Sequence, residues 1–378
     1  MIQTVAVIGS GAMGTGIGQV AATHQCKVIF CDASAESLEH SRHILTSSIE
    51  RMVEKGKLTG EAGRDIIGRC RWTSDMKEIA DTDLIIEAIV EKFEAKEALF
   101  KAISEIIPDQ TIVATNTSSL SITALAATIS HPERFIGLHF FNPAPIMKLV
   151  EIVPALQTEK TLVEKMQHLM ASWAKTAVVA RNTPGFIVNR VARPFYGEAL
   201  RIFDEGLAGC RAIDTAMKEV GGFRMGPFEL MDFIGHDVNY RVTESVYNAM
   251  FQDPRYKPSL TQKSLLDAGW LGRKTGRGFY AYPDMEETMT SYSSWLNPTE
   301  IFGRIFAMLV NEAVDAVYMN ICSEEDVENA MQLGTNYPQG LISWGRTFGM
   351  DRIMDIMSGL YERYREDRYR PSPLLTNI

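Results

Sequence analysis

The chain has 378 residues, enough for two or three domains, and 46% of them are hydrophobic, as in ordinary globular proteins. Its net charge of -9 argues against nucleic acid and anionic membrane surfaces as partners. No apolar run nears the ~18 residues that span a bilayer, the five cysteines show no metal-ligand spacing, and a strand pattern from Ile2 leaves no room for a signal peptide, so a reduced, cytoplasmic protein without a metal is expected.

Residues 4–8 form a short run typical of a buried strand. A glycine-rich turn follows, then a helical stretch over about 12–25. Residues 27–31 read as a second strand ending at Asp32, and a long helical pattern covers about 34–55. Strand-like runs recur at 83–88, 111–114, 135–139, 149–153 and 176–180, with helical segments between most of them. This alternation predicts a Rossmann-type doubly wound α/β domain over 1–182. After Thr183-Pro184-Gly185, helical patterns dominate, punctuated by Gly226-Pro227, which predicts an all-helical domain over 183–282. Residues 283–298 are polar and read as a linker, leaving 299–378 as a second helical unit. The expected fold is therefore α/β, a doubly wound sheet followed by two tandem all-helical domains.

The two helical units are related by a repeat. A shift of 114 aligns Arg190 with Arg304, Glu198-Ala199 with Glu312-Ala313, and Ala216-Met217 with Ala330-Met331. It also aligns Gly226 with Gly340, Gly235 with Gly349 and Asp237 with Asp351. Near the end the offset is 113, and Tyr256-Lys-Pro-Ser259 meets Tyr369-Arg-Pro-Ser372. Chance similarity between amphipathic helices would not keep glycines and charges in register over such a length.

Gly9-Ser10-Gly11-Ala12-Met13-Gly14 fits the G-x-G-x-x-G pattern between a strand and a helix. Gly9 allows the tight turn, Gly11 the approach of a pyrophosphate to the helix end, and Gly14 close helix–strand packing. Alone the pattern is weak. Asp32 strengthens it, because a carboxylate closing the second strand, 18 residues after Gly14, suits ribose hydroxyls. It would repel a 2'-phosphate, so NAD is expected rather than NADP.

His139 follows the apolar run Phe135-Ile136-Gly137-Leu138, and Glu151 lies twelve residues on in a second apolar run. A histidine oriented by a carboxylate makes a general base near neutral pH. Each taken singly is more often a satisfied core histidine or a surface glutamate. Glu91 and Lys96 follow the strand at 83–88, where a cofactor-side role competes with helix capping and a solvated lysine. Ser118 and Ser119 are plausible caps for a helix starting near Ile122. Asn189 reads as a polar position on the first helix of the second domain. Ser48 and Lys55 share one helix face that suits an anion, though solvated residues there are commoner.

Taken together these motifs resemble the 3-hydroxyacyl-CoA dehydrogenase family. The resemblance runs from the glycine loop to Tyr280. It includes Glu87-Ala-Ile-Val-Glu91, Asn116-Thr-Ser-Ser119, His139-Phe-Phe-Asn-Pro143 and Met147-Lys-Leu-Val-Glu151. It continues through Thr183-Pro-Gly-Phe-Ile-Val-Asn-Arg190, Gly226-Pro-Phe-Glu-Leu230 and Gly272-Arg-Lys-Thr-Gly-Arg-Gly-Phe-Tyr280. The duplicated helical unit is similar to the long bacterial form of the family, which acts in phenylacetate breakdown. Two features depart from it: only a short linker separates the helical units, and Arg224 stands where the family usually has proline.

The resemblance implies that His139 is the base, Glu151 its partner, and that Ser118 and Asn189 bond the reacting oxygen. It implies that Asp32, Glu91, Lys96 and Asn116, with Ser118 and the glycine loop, line an NAD site, and that Ser48 and Lys55 contact coenzyme A. The expected reaction is NAD-dependent oxidation of a 3-hydroxyacyl-CoA to the 3-oxoacyl-CoA. The expected acyl chain is 3-hydroxyadipyl, with 3-hydroxybutyryl as the alternative and Arg224 as a weak candidate for the distal carboxylate. A relative acting on a free hydroxy acid and a non-catalytic NAD-binding scaffold are the rival readings. Oligomeric state, including a homo-oligomer, stays open. In the second helical unit Gly303 matches Asn189, so that unit is expected to be non-catalytic and to pack face to face on the first as an internal pseudo-dimer.

Overall fold

Val5, Ala6 and Val7, and likewise Leu84, Ile85 and Ile86, are fully buried without alternation, as befits strands covered on both faces by helices. A computed structural model describes residues 2–289 and 294–376. It resolves into two compact units, one up to Phe186 and one from Ile187 onward.

The first unit runs β1 (Thr4–Ile8), α1 (Ala12–Thr23), β2 (Lys27–Cys31), α2 (Ala35–Glu54), α3 (Gly60–Gly68) and β3 (Cys70–Thr73). It continues with β4 (Leu84–Glu87), α4 (Phe93–Ser104), β5 (Ile112–Thr115), α5 (Ile122–Ala126), β6 (Phe135–Phe140), β7 (Leu149–Pro154), α6 (Lys160–Ser172) and β8 (Thr176–Val179). These eight strands form one sheet in the order β3-β2-β1-β4-β5-β6-β7-β8. The first six are parallel, whereas β7 runs antiparallel to β6 and β8 follows β7. The polar edge strand β3 had no counterpart among the expected strands. Its sequence, Cys-Arg-Trp-Thr, offers too short an apolar run to read as one.

The second unit begins with α7 (Val188–Val191), α8 (Arg193–Asp204), α9 (Cys210–Glu219), α10 (Pro227–Ile234), α11 (His236–Ala249) and α12 (Leu260–Asp267). A hairpin of β9 (Tyr280–Ala281) and β10 (Glu286–Glu287) follows. The expected linker contains residues 290–293, which lie outside the described residues. Beyond it come α13 (Pro298–Tyr318), α14 (Glu324–Thr335), α15 (Leu341–Phe348) and α16 (Met350–Tyr364).

The shift of 114 carries α9 onto α14, α10 onto α15 and α11 onto α16. It carries α7 and α8 together onto α13. The break between α7 and α8 has a local cause: Pro194 sits where the second copy has Met308, and proline cannot supply the helical N–H. Each copy caps its third helix with a carboxylate. Asp214 accepts from Phe228 N at 2.9 Å and Glu229 N at 3.1 Å, and Glu328 accepts from Ile342 N at 2.7 Å and Ser343 N at 3.2 Å. The repeated glycines follow from this. A Cβ at Gly226 would come within 2.3 Å of Asp214, and one at Gly340 within 2.0 Å of Glu328.

The two copies pack face to face, with α13 against α7, α8 and α9. Arg190 Nε donates to Glu312 Oε1 at 2.6 Å, and Arg304 Nε donates to Glu198 Oε1 at 2.6 Å. Tyr256 donates to Glu312 at 2.5 Å and Tyr369 to Glu198 at 3.0 Å. Corresponding residues thus make reciprocal contacts, the signature of a self-complementary two-fold interface folded into one chain.

Candidate functional site

The glycine loop, Asp32, Glu91, Asn116, Ser118, His139 and Glu151 gather at the carboxyl edge of the sheet, where loops leave parallel strands and ligands bind in open α/β folds, whereas Ser48 and Lys55 lie along and at the end of α2. The glycine loop follows β1. Gly9 has φ +100°, and a Cβ there would come within 2.6 Å of the Ala88 carbonyl. A Cβ at Gly14 would come within 1.8 Å of the Gly9 carbonyl, whereas Gly11 faces open space. No side chain caps α1, so its first amides, at Ala12 and Met13, remain available to an anion. Ser10 Oγ is buried there without a hydrogen-bond partner.

Asp32 is held at the end of β2 by Ser10 N at 2.7 Å on one oxygen and Ser34 N at 2.9 Å on the other. Each oxygen keeps acceptor capacity for a hydroxyl. An open glycine cradle, uncapped helix amides, an orphaned hydroxyl and a fixed carboxylate fit a dinucleotide with free ribose hydroxyls.

Beyond β4, Glu91 organises the turn at 117–119. It accepts from Thr117 Oγ1 at 2.5 Å, Ser118 N at 2.8 Å, Ser119 N at 3.1 Å and Ser119 Oγ at 3.0 Å. Burial alone would raise its carboxyl pKa, but the Lys96 charge and these hydrogen bonds outweigh burial and hold it below the usual carboxylate range. Lys96 lies inside, 1% exposed, with Nζ 2.6 Å from Glu87 and 3.2 Å from Glu91. It braces the loop carboxylate rather than presenting an open amine. Glu87 is the residue that sequence reasoning gave no role. It is fully buried and also takes Thr115 Oγ1 at 2.6 Å and Ile89 N at 2.7 Å. A carboxylate ending the apolar strand Leu84-Ile85-Ile86 nine residues before a lysine was the available signal.

Asn116 follows β5 and accepts from Phe140 N at 2.8 Å, so its amide pins the strand beside His139. Ser118 is half-buried, with its hydroxyl turned toward Glu91. Neither Ser118 nor Ser119 caps α5. The cap is Ser121, which accepts from Ala124 N, because Glu91 already holds the earlier serines.

His139 and Glu151 face each other directly in the β6–β7 register. His139 Nδ1 donates to Glu151 Oε2 at 2.6 Å. Glu151 is fully buried and His139 is 6% exposed. The reversal of β7 makes this possible, because it returns the start of β7 to the same sheet edge at which β6 ends. Phe141 and Phe186 pack on the imidazole, with ring centroids at 4.5 and 5.8 Å. Lys175 secures the loop after His139 by donating to the carbonyls of Ala144 at 2.5 Å and Met147 at 2.7 Å. No motif singled out Lys175, since its partners are backbone atoms.

Ser48 lies on α2, where its hydroxyl accepts from Gln19 Nε2 at 3.0 Å, and Lys55 is exposed at the end of that helix. In the second unit Asn189 is half-buried on α7, and its backbone carbonyl accepts from Arg193 Nε at 2.8 Å. Arg224 is exposed in the turn before α10. Among the described residues no cluster of His, Cys, Asp or Glu could hold a metal ion, and no helix is long and apolar enough to cross a membrane.

Residues 4–183 match the family model described as 3-hydroxyacyl-CoA dehydrogenase, NAD binding domain. The model of the 3-hydroxyacyl-CoA dehydrogenase C-terminal domain matches twice, at 185–282 and 301–378. The 3-hydroxyadipyl-CoA dehydrogenase of Escherichia coli (strain K12) is 39% identical over 459 aligned positions, covering 99% of this chain and 97% of that protein. A crystal structure of 3-hydroxybutyryl-CoA dehydrogenase from Escherichia coli K12 superposes with TM-score 0.95 and 38% identity, over 100% of this chain and 98% of that one. The (S)-3-hydroxybutyryl-CoA dehydrogenase of Ralstonia eutropha covers 75% of this chain and 100% of its own, with TM-score 0.73 and 39% identity.

Proposed function

The chain belongs to the NAD-dependent 3-hydroxyacyl-CoA dehydrogenase family, and on that premise we propose that its substrate is a dicarboxylic acyl-CoA, 3-hydroxyadipyl-CoA, with His139 as the base. The relative of that name, matched over 99% of this chain with both helical copies, supports the acyl assignment. The observation that carries the mechanism is the buried His139–Glu151 pair at the carboxyl edge of the sheet.

When bound, NAD supplies the hydride acceptor. With Nδ1 committed to Glu151, His139 takes the proton from the 3-hydroxyl at Nε2. The buried Glu151 carboxylate stabilises the imidazolium that results. Ser118 and Asn189 hold the reacting oxygen, so that proton and hydride leave from one geometry. Asp32 takes the ribose hydroxyls, the amides of 11–14 the pyrophosphate, and Glu91 and Asn116 keep the loops around the cofactor in place. Ser48 and Lys55 take coenzyme A. The NAD-binding, helical and repeated helical domains extend over 1–182, 183–282 and 299–378, with the last non-catalytic because Gly303 and not asparagine stands at the position matching Asn189. Five cysteines, all free thiols, support work in a reducing cytoplasm.

Steady-state reduction of 3-oxoadipyl-CoA and 3-oxobutyryl-CoA with NADH tests the assignment. The dicarboxylic substrate should have the higher kcat/KM. A clear preference for 3-oxobutyryl-CoA would reject 3-hydroxyadipyl-CoA as the substrate.

A further inference from the structure

Among the described residues, four arginines of the second unit are buried: Arg190, Arg193, Arg304 and Arg368. Three have carboxylates close by. Arg190 meets Glu312 and Asp315, Arg304 meets Glu198 and Glu205, and Arg368 lies 3.9 Å from Glu198 and 3.8 Å from Glu366. Arg193 is 6% exposed, and among the described residues no carboxylate lies within salt-bridge distance of it. Its Nε donates to the Asn189 carbonyl at 2.8 Å and Nη1 to Thr243 Oγ1 at 3.0 Å, while the guanidinium lies 5.0 Å from the Tyr196 ring. A buried cation without an anion is costly, and burial accordingly depresses its pKa.

The repeat separates structure from function here. The arginines and glutamates that bind the two copies together recur at both positions, Arg190 with Arg304 and Glu198 with Glu312. Asn189 and Arg193 do not recur. The same shift of 114 puts Gly303 and Ala307 in their places. Asparagine and arginine are thus present together in one copy and absent together from the other.

We propose that the Arg193 guanidinium receives the distal carboxylate of the acyl chain, which makes it a specificity-determining residue for dicarboxylic acyl-CoA. The proposal rests on the substrate and on the role of Asn189 put forward above. Residues four apart on a helix are neighbours, with Cβ atoms about 5–6 Å apart, and Arg193 folds back toward Asn189. In a six-carbon chain the terminal carboxyl carbon is three bonds of about 1.5 Å beyond the reacting carbon. An oxygen held by Asn189 therefore places the far carboxylate within reach of the guanidinium, where its charge finds the missing partner.

The test compares kcat/KM for 3-oxoadipyl-CoA and the uncharged 3-oxohexanoyl-CoA in wild type, R193M and R193K. Wild type should prefer the dicarboxylic substrate. R193M should lower that preference about ten- to hundredfold, the weight of one charged hydrogen-bonded contact, with R193K between the two. Equal loss on both substrates would mark a purely structural arginine and overturn the proposal. A preference undiminished in R193M would also overturn it, while leaving the dicarboxylic substrate standing. No preference in wild type would overturn the substrate reading and this proposal with it. Should R193M not fold, wild type with five-, six- and eight-carbon dicarboxylic 3-oxoacyl-CoAs decides, because the spacing requires an optimum at six and activity that rises with length would refute it.

Discussion

Arg190 pairs with Glu312, 122 residues away in sequence, and the same contact returns from Arg304 to Glu198. Two copies of one helical motif thereby hold each other by an exchange of the same arginine–glutamate pair. Removing Arg190 takes the nearest counter-charge from the buried Glu312 and leaves it with Arg255 at 3.7 Å and the Tyr256 hydroxyl. R190M should therefore cost about 3–5 kcal/mol of stability, read as a lower midpoint in urea. The double variant R190M/E312L should recover much of that loss. A single variant as stable as wild type would show that the pair adds nothing to the packing of the copies.

The packing of the copies also bears on truncation. Helix α8 buries Phe195 and Glu198, which meet Tyr337 and Arg304 of the second copy, and α13 packs against it. A chain ended near residue 283 should expose that face and aggregate or self-associate, as gel filtration would reveal. A soluble truncated chain of unchanged stability and oligomeric state would contradict the pseudo-dimer's structural role.

His139 is the proposed proton acceptor. H139Q should lower kcat by about 10²–10⁴, with NADH affinity by fluorescence titration close to wild type. Turnover within a few-fold of wild type would remove His139 from the mechanism.

Asp32 predicts the cofactor. A hydrogen bond to a charged group is worth about 1.5–3 kcal/mol, so kcat/KM for NADH should exceed that for NADPH at least about tenfold. D32A should narrow the ratio. Equal efficiency of the two cofactors in wild type would count against Asp32 as the ribose ligand.

Glu91 sets an acid limit for the loop at 117–119. Its carboxyl is held below the usual range in the folded protein. Its contribution is therefore present above the ordinary carboxylate pKa of about 4.5 and lost as pH falls through the depressed folded value. The Tm of wild type should fall more steeply than that of E91Q as pH is lowered below about 4.5. Parallel Tm profiles for the two proteins would show that this carboxylate is not linked to folding.

Much of the chemistry was written in local order. The glycine loop, Asp32, and the sites of His139 and Glu151 each sit beside a strand whose apolar run is unmistakable, so their place at a strand end or in a strand follows from the sequence. The repeat was legible because a constant shift preserves glycines and charges that α10, α15 and their capping carboxylates require. Glu87, Lys175 and Arg193 were not legible. Lys175 holds carbonyls 28 and 31 residues away, Glu87 takes Thr115 28 residues on as well as the nearby Lys96, and the burial of Arg193 without a carboxylate among the described residues follows from packing. Lys96 reads from sequence either as a cofactor-side amine or as a solvated helical lysine, and it is buried against Glu87.

The sequence by itself determined the order of the apolar strands, the dinucleotide cradle and the duplication, since periodicity, turn residues and short-range spacing act within a few residues; the polar strand β3 and the short hairpin strand β10 were beyond it. Only the tertiary structure decided that β7 reverses to set Glu151 against His139. Only there do Arg190 and Arg304 exchange glutamates while Arg193 is left without one. Strand register and the pairing of buried charges depend on which distant segments meet, and burial makes an unpaired charge costly in a way that spacing along the chain does not reveal.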